Sequence, residues 1–497
     1  MTQSSSGRGG AAPSRSSDDD RLYPMLIDGE WIETGGAGEF QCVDPCTEEP
    51  WGRVPQADAA DVARAVAAAR RAFDRDGWPQ TPPAQRAQLL RRLAVLIEAH
   101  ADALTYQQIR ENGKLASEMR PGADLIGRAC HYFAELAETV SGRTVQTHGF
   151  TTYTLREPIG VVAAVTPWNS PLLLLGWKLF PALAAGNTVV VKPSEVTPTS
   201  TLLLAQLAMQ AGFPRGVLNV VTGRGQPTGA ELVNHPGVDK IAFTGSTAAG
   251  KAIARAAAAR CARVSLELGG KSPNILFADC EVSAAVHGVI AGIFAASGQT
   301  CVAGSRVLVE RPIYAQVVDL LVRRARELEP GDPLDPATRL GPVASRAQLE
   351  KILGYFAIAQ DERLELLSGG RRMQRSGFYV EPTIYGRVPN GCRLAREEIF
   401  GPVAALMPFD GEDEAVAIAN DTPFGLAAGV WTENVRRAHR MVSRLRAGTV
   451  WVNNYRQITY GVPFGGLRQS GIGRELGPDA LEEYTEVKSV WIDQRAP

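Results

Sequence analysis

Residues 161–191 read VVAAVTPWNSPLLLLGWKLFPALAAGNTVVV. The stretch begins and ends with a run of small or β-branched residues, and an apolar segment rich in Leu and Ala lies between them. Such runs recur roughly every 25 residues, at 161–165, 188–191, 217–221, 240–243 and 263–267. Short strands that alternate with helices predict a parallel, doubly wound α/β sheet with helices on both faces.

The regions on either side extend this pattern. Upstream, residues 58–110 have apolar side chains at three-to-four spacing and predict helices, two of them separated by Pro82-Pro83. Downstream, a second α/β domain is predicted by strand-like runs at 307–309, 379–384, 403–407, 427–431 and 449–452. A final strand-like run, 484–492, could pair with the edge of another chain and favours an oligomer.

Composition is that of a globular protein and excludes several classes of function. The chain has 497 residues, 45% hydrophobic and 21% charged, enough for about three domains. A net charge of -1 provides no field to attract nucleic acid. No apolar run reaches the ~18 residues of a membrane helix. Residues 1–20 are rich in Ser, Gly, Arg and Asp, and predict a flexible tail without a secretory signal.

The cysteines suggest both a compartment and a nucleophile. Seven cysteines without pairing or metal-ligand spacing indicate free thiols in a reducing, cytoplasmic setting, and no metal site is expected. Six of them are interpreted as inert, buried packing residues. Cys301 differs because it lies in a Gly-broken loop, 297–304, after an apolar helical run. A nucleophilic thiolate needs such a partly open position near N–H donors.

Two polar residues at strand ends could assist a nucleophile. Glu267 closes the run 263–267, where burial would raise its pKa and suit it as a general base. A structural ion pair is the alternative for this carboxylate. Asn169 follows the run 161–165, and its amide could donate to a developing oxyanion, with a plain Asx turn as the alternative.

Other strand ends have residues of the kind that bind dinucleotides, because ligands collect at the carboxyl edge of such sheets. Lys192 and Glu195, in NTVVVKPSE at 187–195, suit the ribose hydroxyls of an adenosine. The alternative is a strand-end Lys that reaches water. The Glu195 carboxylate would repel a 2′-phosphate, which favours NAD over NADP.

Two glycine-containing turns fit a pyrophosphate. Gly223, Gly225 and Gly229 follow one strand with GxGxxxG spacing, a weak signal by itself. In FTGST, residues 243–247, Gly245 and Ser246 lead into an Ala-rich helix whose free N–H groups favour phosphate. An ordinary Ser N-cap is the alternative. Two such turns in one sheet predict a dinucleotide.

These segments together resemble the aldehyde dehydrogenase superfamily over nearly the whole chain beyond the tail. The resemblance rests on motifs that occur in a fixed order, namely Thr166-Pro-Trp-Asn169, Val191-Lys-Pro-Ser-Glu195, Phe243-Thr-Gly-Ser-Thr247, Leu266-Glu-Leu-Gly-Gly-Lys271, Gly298-Gln-Thr-Cys301, Glu397-Glu-Ile-Phe-Gly-Pro402, Pro463-Phe-Gly-Gly466 and Ser470-Gly-Ile-Gly-Arg-Glu-Leu-Gly477.

The resemblance implies an acid-forming mechanism. Cys301 would attack the aldehyde, while its own N–H and the Asn169 amide hold the oxyanion, and hydride would pass to the nicotinamide. Glu267 would activate water to hydrolyse the thioester. Glu398 would hold the nicotinamide ribose, and Phe400 would pack near the ring. Further cofactor contacts implied by the motifs are Thr166, Trp168, Lys192, Ser194, Glu195, Gly225, Gly229, Phe243, Gly245, Ser246 and Leu268.

The same resemblance implies a division of the chain. An NAD-binding domain would comprise 21–137 and 157–267, and a catalytic domain 268–468. Strands within 138–156 and 482–497 would form homodimers or homotetramers.

The expected aldehyde pocket departs from many similar sequences. Ser170 and Ile458 stand where an aromatic residue is frequent, and Leu467-Arg468 replaces an aromatic-Lys pair, whereas Trp177 matches. We therefore expect a wider, less aromatic pocket for a hydrophobic aldehyde, lined by Ser170, Leu174, Trp177 and Ile458.

Three alternatives compete with this interpretation. A CoA-acylating relative would not need Glu267, which the chain retains. A redox-independent cysteine hydrolase would not need Glu398 and Phe400. A non-catalytic relative would be expected to lack Cys301.

Overall fold

The computed structural model describes residues 20–495. Its strands, in chain order, are β1 (Arg21–Leu22), β2 (Met25–Ile27), β3 (Glu30–Ile32), β4 (Glu39–Val43), β5 (Pro50–Pro55), β6 (Thr144–Thr147), β7 (Phe150–Pro158), β8 (Val161–Val165), β9 (Thr188–Lys192), β10 (Leu218–Val220), β11 (Lys240–Thr244), β12 (Arg263–Glu267), β13 (Pro273–Leu276), β14 (Arg306–Glu310), β15 (Glu365–Ser368), β16 (Thr383–Gly386), β17 (Val403–Phe409), β18 (Ala427–Trp431), β19 (Thr449–Val452), β20 (Gly471–Ile472) and β21 (Thr485–Asp493).

The α-helices of the same residues are α1 (Ala59–Asp74), α2 (Pro83–Ala99), α3 (Ala101–Asn112), α4 (Ala116–Leu136), α5 (Pro171–Ala185), α6 (Thr199–Ala211), α7 (Ala230–Asn234), α8 (Thr247–Ala258), α9 (Val282–Ile293), α10 (Tyr314–Arg326), α11 (Arg346–Asp361), α12 (Arg393–Arg396), α13 (Gly411–Asn420) and α14 (Val435–Arg444). The predicted tail lies outside the described residues, except for Asp20. None of these helices is long and apolar enough to cross a bilayer.

Residues 161–191 fold as β8, α5 and β9. These strands belong to an eight-stranded sheet of order β20-β12-β11-β8-β9-β10-β2-β3, whose middle five strands are parallel. Val162 and Ala164 of β8 pack into one hydrophobic cluster together with α2, α5 and α6. Val161 and Ala163 pack into another cluster, on the opposite face, with α1. The parallel, doubly wound sheet with two covered faces is therefore confirmed.

A second sheet has the order β15-β16-β17-β14-β13-β18-β19. All its neighbouring pairs are parallel except β15 with β16, which confirms a second α/β unit. The prediction missed β13, which lies at the centre of this sheet between β14 and β18.

The prediction of a strand at 379–384 was wrong in its position. The strand is Thr383–Gly386, and within 379–382 only Val380 forms an isolated bridge. Pro382 explains the late start, because proline has no N–H to donate to a ladder.

A three-stranded sheet of order β21-β7-β6 contains the C-terminal strand. β21 pairs antiparallel with β7 of the same chain from Thr485 to Asp493, so one of its edges is already used within the chain. The upstream helices are confirmed as α1, α2 and α3. α2 begins at Pro83, a residue that favours the first helical turn.

Arg306 connects the second sheet to α13 and gives a test of its stability. Its side chain is fully buried. It donates to the carbonyls of Lys271, Ile418 and Ala419 at 2.8–2.9 Å. Arg306→Met removes these donors, so we expect the free energy of unfolding to fall by about 3 kcal/mol. Urea unfolding measures the change.

A matched control uses the exposed Arg323 of α10, which pairs only with Asp319 one helical turn away. Arg323→Met should change the unfolding free energy by about 0.5 kcal/mol or less. Equal losses in the two variants would contradict a structural role for Arg306.

Candidate active site

A cavity of about 140 Å³ lies where β8, β11 and β12 of the first sheet end. Loops that precede β14 and β17, together with α11, form its other wall. Its lining residues are Pro167, Trp168, Asn169, Leu174, Thr244, Gly245, Ser246, Leu268, Gly269, Cys301, Gln348, Lys351, Glu398 and Phe400. Residues far apart in sequence thus meet at the carboxyl edge of the sheet.

Cys301 lies in this cavity and is partly buried. Burial, followed by the nearby carboxyl groups of Glu267 and Glu398, raises the pKa of its thiol to about 12. The backbone N–H groups of Cys301 and Val302 oppose this shift by donating to the sulfur. The raised pKa keeps the Cys301 side chain as a neutral thiol near neutral pH.

The loop before Cys301 has an unusual backbone. Ala296 and Ser297 adopt left-handed conformations, with φ of 54° and 51°. A Cβ at Gly298 would lie 2.0 Å from the carbonyl oxygen of Gly401, so only glycine fits there. Because such conformations persist only where the surroundings impose them, the loop holds Cys301 in a defined position.

The expectation that the other six cysteines are buried was wrong for three of them. Cys42, Cys46 and Cys130 are buried, whereas the remaining three, Cys261, Cys280 and Cys392, are exposed or partly exposed. Burial therefore does not distinguish Cys301, but its place in the cavity does.

Glu267 ends β12 and is almost fully buried. Among the described residues neither of its carboxyl oxygens has a hydrogen-bond partner. Burial and then the adjacent Glu475 carboxyl raise its pKa well above the usual value. The predicted raised pKa is confirmed, and the alternative of a direct ion pair is not what the structure shows. Glu267 is close enough to Cys301 to raise the thiol pKa, although it does not line the cavity.

Asn169 lines the cavity just after β8 and is buried. Its Nδ2 donates to the backbone oxygen of Gln299 at 3.1 Å. An amide nitrogen has two protons, so the second remains for an acceptor in the cavity. Its contact with the loop of Cys301 distinguishes this residue from a plain Asx turn.

Glu398 and Phe400 form another part of the wall. Glu398 Oε1 accepts from the Gly270 N–H at 3.1 Å, and burial raises the pKa of this carboxyl. A Cβ at Gly269 would lie 2.3 Å from Glu398 Oε2, so a larger residue there would displace the carboxylate from its present position. Phe400 packs edge-on against Trp168, with ring centroids 5.3 Å apart.

Lys192 and Glu195 lie away from this cavity, after β9. The Lys192 ammonium is buried and donates to the carbonyls of Pro193 and Gly223, both at 2.7 Å. Burial lowers its pKa to about 8. Glu195 is exposed and lines a neighbouring groove with Arg224 and Arg346. The lysine side chain therefore does not simply extend into water.

The other predicted cofactor residues belong to the cavity of Cys301, to the neighbourhood of Lys192 or to the strand ends and turns between them. Ser246 lines the cavity and caps α8 by accepting from the Ala249 N–H at 3.2 Å, so the N-cap alternative is confirmed. Gly229 lies against Lys192, where a Cβ would be 3.4 Å from Cδ. The remaining ones are Gly225, which begins the turn before α7, Phe243 in β11, Thr166 and Ser194 at buried strand ends, and Gly245 and Leu268 in the cavity wall.

The predicted aldehyde-pocket residues continue from the cavity. Leu174 and Trp177 are buried in one cluster, with Cys301 and Ile458 packed against it. Trp177 contacts Phe464, with ring centroids 5.3 Å apart. Ser170 is partly exposed at the start of α5.

The model of the aldehyde dehydrogenase family matches residues 31–490. This chain belongs to the aldehyde dehydrogenase family. It is 43% identical to the NADP/NAD-dependent aldehyde dehydrogenase PuuC of Escherichia coli, covering 95% of this chain and 96% of that protein. It is also 43% identical to aldehyde dehydrogenase 1A1 of Gallus gallus, covering 94% and 93%.

Solved structures of aldehyde dehydrogenases have the same fold as this chain. An NAD+ complex of an aldehyde dehydrogenase from Bacillus cereus is 42% identical, with a TM-score of 0.94 over 96% of this chain and 97% of that one. This chain is therefore an NAD(P)-dependent oxidoreductase that oxidises an aldehyde to a carboxylic acid.

Sequence reasoning missed two cavity residues of this aldehyde dehydrogenase, Gln348 and Lys351. Both lie on α11, which the prediction did not treat as part of the site. Gln348 Nε2 donates to the carbonyls of Ile399 and Phe400 at 3.0 and 2.8 Å, so it fixes the Phe400 segment. Lys351 acts through charge and counters the rise in the pKa of Glu398. A polar residue on an amphipathic helix has no local signal that marks it as functional.

The described residues fit a nicotinamide dinucleotide. Thr166 Oγ1 is buried at a strand end without a hydrogen-bond partner among these residues. Gly269 leaves room beside the Glu398 carboxylate, where a Cβ would clash. An unpaired hydroxyl, a carboxylate and the free N–H groups of α8 are groups that ribose and phosphate can use.

Proposed function

We propose that Cys301 forms a thioester with the aldehyde, that Asn169 stabilises the oxyanion, and that Glu267 activates the water that releases the acid. The observation that supports this most directly is the convergence of Cys301 and Asn169 in one cavity beside the buried, unpaired Glu267. A nucleophile, an N–H donor and a base with a raised pKa are the groups that acyl transfer requires.

The reaction begins when the Cys301 thiol gives its proton to solvent and the sulfur attacks the carbonyl carbon, which moves the π electrons of the carbonyl onto its oxygen. The new oxyanion accepts hydrogen bonds from Asn169 Nδ2 and the Cys301 N–H. A nicotinamide held in this site would supply the hydride acceptor, and loss of hydride from the carbon would leave a thioester on Cys301. Glu267 then takes a proton from water, the hydroxide adds to the thioester, and the S–C bond breaks to release the acid and regenerate the thiol.

We further propose that Glu398 and Phe400 hold the nicotinamide half of the cofactor. Lys192 and Glu195 would hold the adenosine ribose, and the turns near Gly225 and Ser246 would hold the pyrophosphate. Glu195 would favour NAD over NADP, because its carboxylate repels a 2′-phosphate.

A panel of aliphatic, aromatic and terpenoid aldehydes tests the proposal, with NADH absorbance as the readout. We expect NADH to form without CoA. If no aldehyde on the panel yields NADH, the proposed function is wrong. If turnover requires CoA, hydrolysis by water is wrong.

Asn169→Ala should lower kcat by about 100- to 1000-fold. The donor acts on charge that develops only in the transition state, so KM should change much less. Steady-state kinetics at saturating NAD measures both constants. A large rise in KM with unchanged kcat would assign Asn169 to substrate binding instead.

Glu195→Ser should raise the ratio of kcat/KM for NADP to that for NAD about tenfold. The substitution removes the repelling carboxylate, and Arg224 in the same groove is available to a 2′-phosphate. Initial rates with each cofactor measure the ratio. The exposed Glu433 provides the control variant Glu433→Ser, which should leave the ratio unchanged. A ratio that does not rise in Glu195→Ser would place the adenosine ribose elsewhere.

We also propose that the chain forms a homodimer or homotetramer in the cytoplasm, with the division into domains given above. The β21-β7-β6 sheet supports this assembly, because β21 exposes the apolar side chains of Val487, Trp491 and Ile492.

A further inference from the structure

Lys114 places a buried cation next to Ser170, the residue that follows Asn169 of the cavity wall. It follows α3, and its side chain is almost fully buried. Its Nζ donates to Ser170 Oγ at 3.0 Å. Ser170 comes directly after Asn169, which lines the cavity. The ammonium is therefore held beside the residue proposed to bind the oxyanion.

Among residues 20–495, the hydrogen-bond partner of the Lys114 ammonium is the neutral Ser170 hydroxyl and not a carboxylate. Glu118, the carboxylate whose charge acts on Lys114, accepts from the backbone N–H groups of Leu115 and Ala296 instead. Burial accordingly lowers the pKa of Lys114 to about 8, and Glu118 only partly opposes this shift. A buried ammonium with one neutral partner is costly unless an anion joins it.

Arg456 is a second cation near Lys114. It lies in the loop after β19, in a left-handed conformation with φ of 68°. Its Nη1 donates to the carbonyl of Ala291 in α9 at 2.9 Å, so in the described part of the chain its hydrogen-bond partner is also a neutral group. Its neighbour Tyr455 donates to the carbonyl of Val302, the residue after Cys301.

The charges of Arg456 and Cys301 both act on the pKa of Lys114. The Arg456 guanidinium lowers the pKa of Lys114, and the Cys301 sulfur raises it. Apolar side chains of Leu174, Trp177 and Ile458 pack beside Cys301 in the same region. A thiol, an apolar wall and two cations therefore lie in one region beside the cavity.

We propose that the physiological aldehyde has a carboxylate at its far end, which Lys114 and Arg456 bind while an aliphatic chain lies along the apolar wall. This inference rests on the proposed function of Cys301. It replaces the uncharged hydrophobic aldehyde expected from the pocket sequence with a hydrophobic chain that ends in an anion. A carboxylate can accept charge-assisted hydrogen bonds from both cations, which a neutral aldehyde of the same length cannot do.

The test compares adipic semialdehyde with hexanal, which has the same chain length without the carboxylate. With the wild-type enzyme and NAD, we expect kcat/KM to be about 10- to 100-fold higher for the semialdehyde. Lys114→Met should lower this preference about tenfold and Arg456→Gln about threefold. The matched control Arg323→Met, on the surface of α10, should leave the preference unchanged.

A binding measurement keeps the test independent of any folding defect in Lys114→Met. Adipate should inhibit hexanal oxidation by the wild type competitively and more strongly than hexanoate does, and Arg456→Gln should weaken that inhibition. Equal use of the two aldehydes by the wild type, or variants that slow both equally, would overturn this inference. If hexanal is oxidised while the semialdehyde is not, only this inference fails. If neither these two aldehydes nor any on the panel yields NADH, the proposed function itself fails.

Discussion

Cys301→Ala is expected to abolish NADH formation with every aldehyde, lowering kcat by on the order of 10⁴-fold or more. No other described cysteine lines the cavity, so no thiol can take over the attack on the carbonyl carbon. NADH absorbance at saturating aldehyde and NAD measures the loss. Binding of NAD, followed by quenching of tryptophan fluorescence, should persist because Cys301 is not among the proposed cofactor contacts.

The exposed Cys261 provides the matched control. Cys261→Ala removes a thiol of the same kind far from the cavity lining and should leave kcat unchanged. If Cys301→Ala retained more than a few per cent of wild-type activity, a different nucleophile or no covalent step at all would have to explain the oxidation.

Glu267→Gln should separate the two halves of the reaction. The thioester can still form, so mixing enzyme, NAD and aldehyde should give a rapid burst of NADH close to the active-site concentration. The steady rate that follows should fall by about 100- to 10,000-fold, because no carboxylate remains to activate water. Stopped-flow absorbance resolves the burst from the steady phase. Loss of the burst together with the steady rate would instead place Glu267 in the first chemical step.

The pH dependence of the steady phase tests the same role. Burial and Glu475 raise the pKa of Glu267, so its active carboxylate form is lost as pH falls through that raised value. The hydrolytic rate of the wild type should therefore increase with pH across the raised pKa and level off above it. In Glu267→Gln this rise should disappear. A wild-type rate that falls with increasing pH would contradict a carboxylate base.

Strand ends were the part of the site that the sequence predicted best. β8 and β12 have the predicted bounds, and Asn169 and Glu267 follow from where these strands stop. In a parallel sheet, residues just beyond the strands meet at one edge whatever their separation along the chain. Pattern alone therefore brought Asn169 into the cavity and Glu267 beside it.

Other features depend on contacts that no local pattern records. β13 is only four residues long and could not be distinguished from a loop by periodicity. Gln348 enters the site because α11 packs beside the Phe400 segment, 52 residues away in sequence. Lys114 is linked to the site only by its hydrogen bond to Ser170, which lies 56 residues away in sequence. Its burial, and the nearness of Arg456, are properties of the tertiary structure.

The covalent thioester is the central claim, and mass spectrometry of the trapped acyl-enzyme tests it most directly. Glu267→Gln is mixed with NAD and hexanal, quenched in acid within the burst, and analysed intact and after digestion. We predict one added hexanoyl group per chain, located on the peptide that contains Cys301 and absent when Cys301 is also replaced by Ala. An unmodified chain at the end of a full burst, or an acyl group on any other residue, would contradict it.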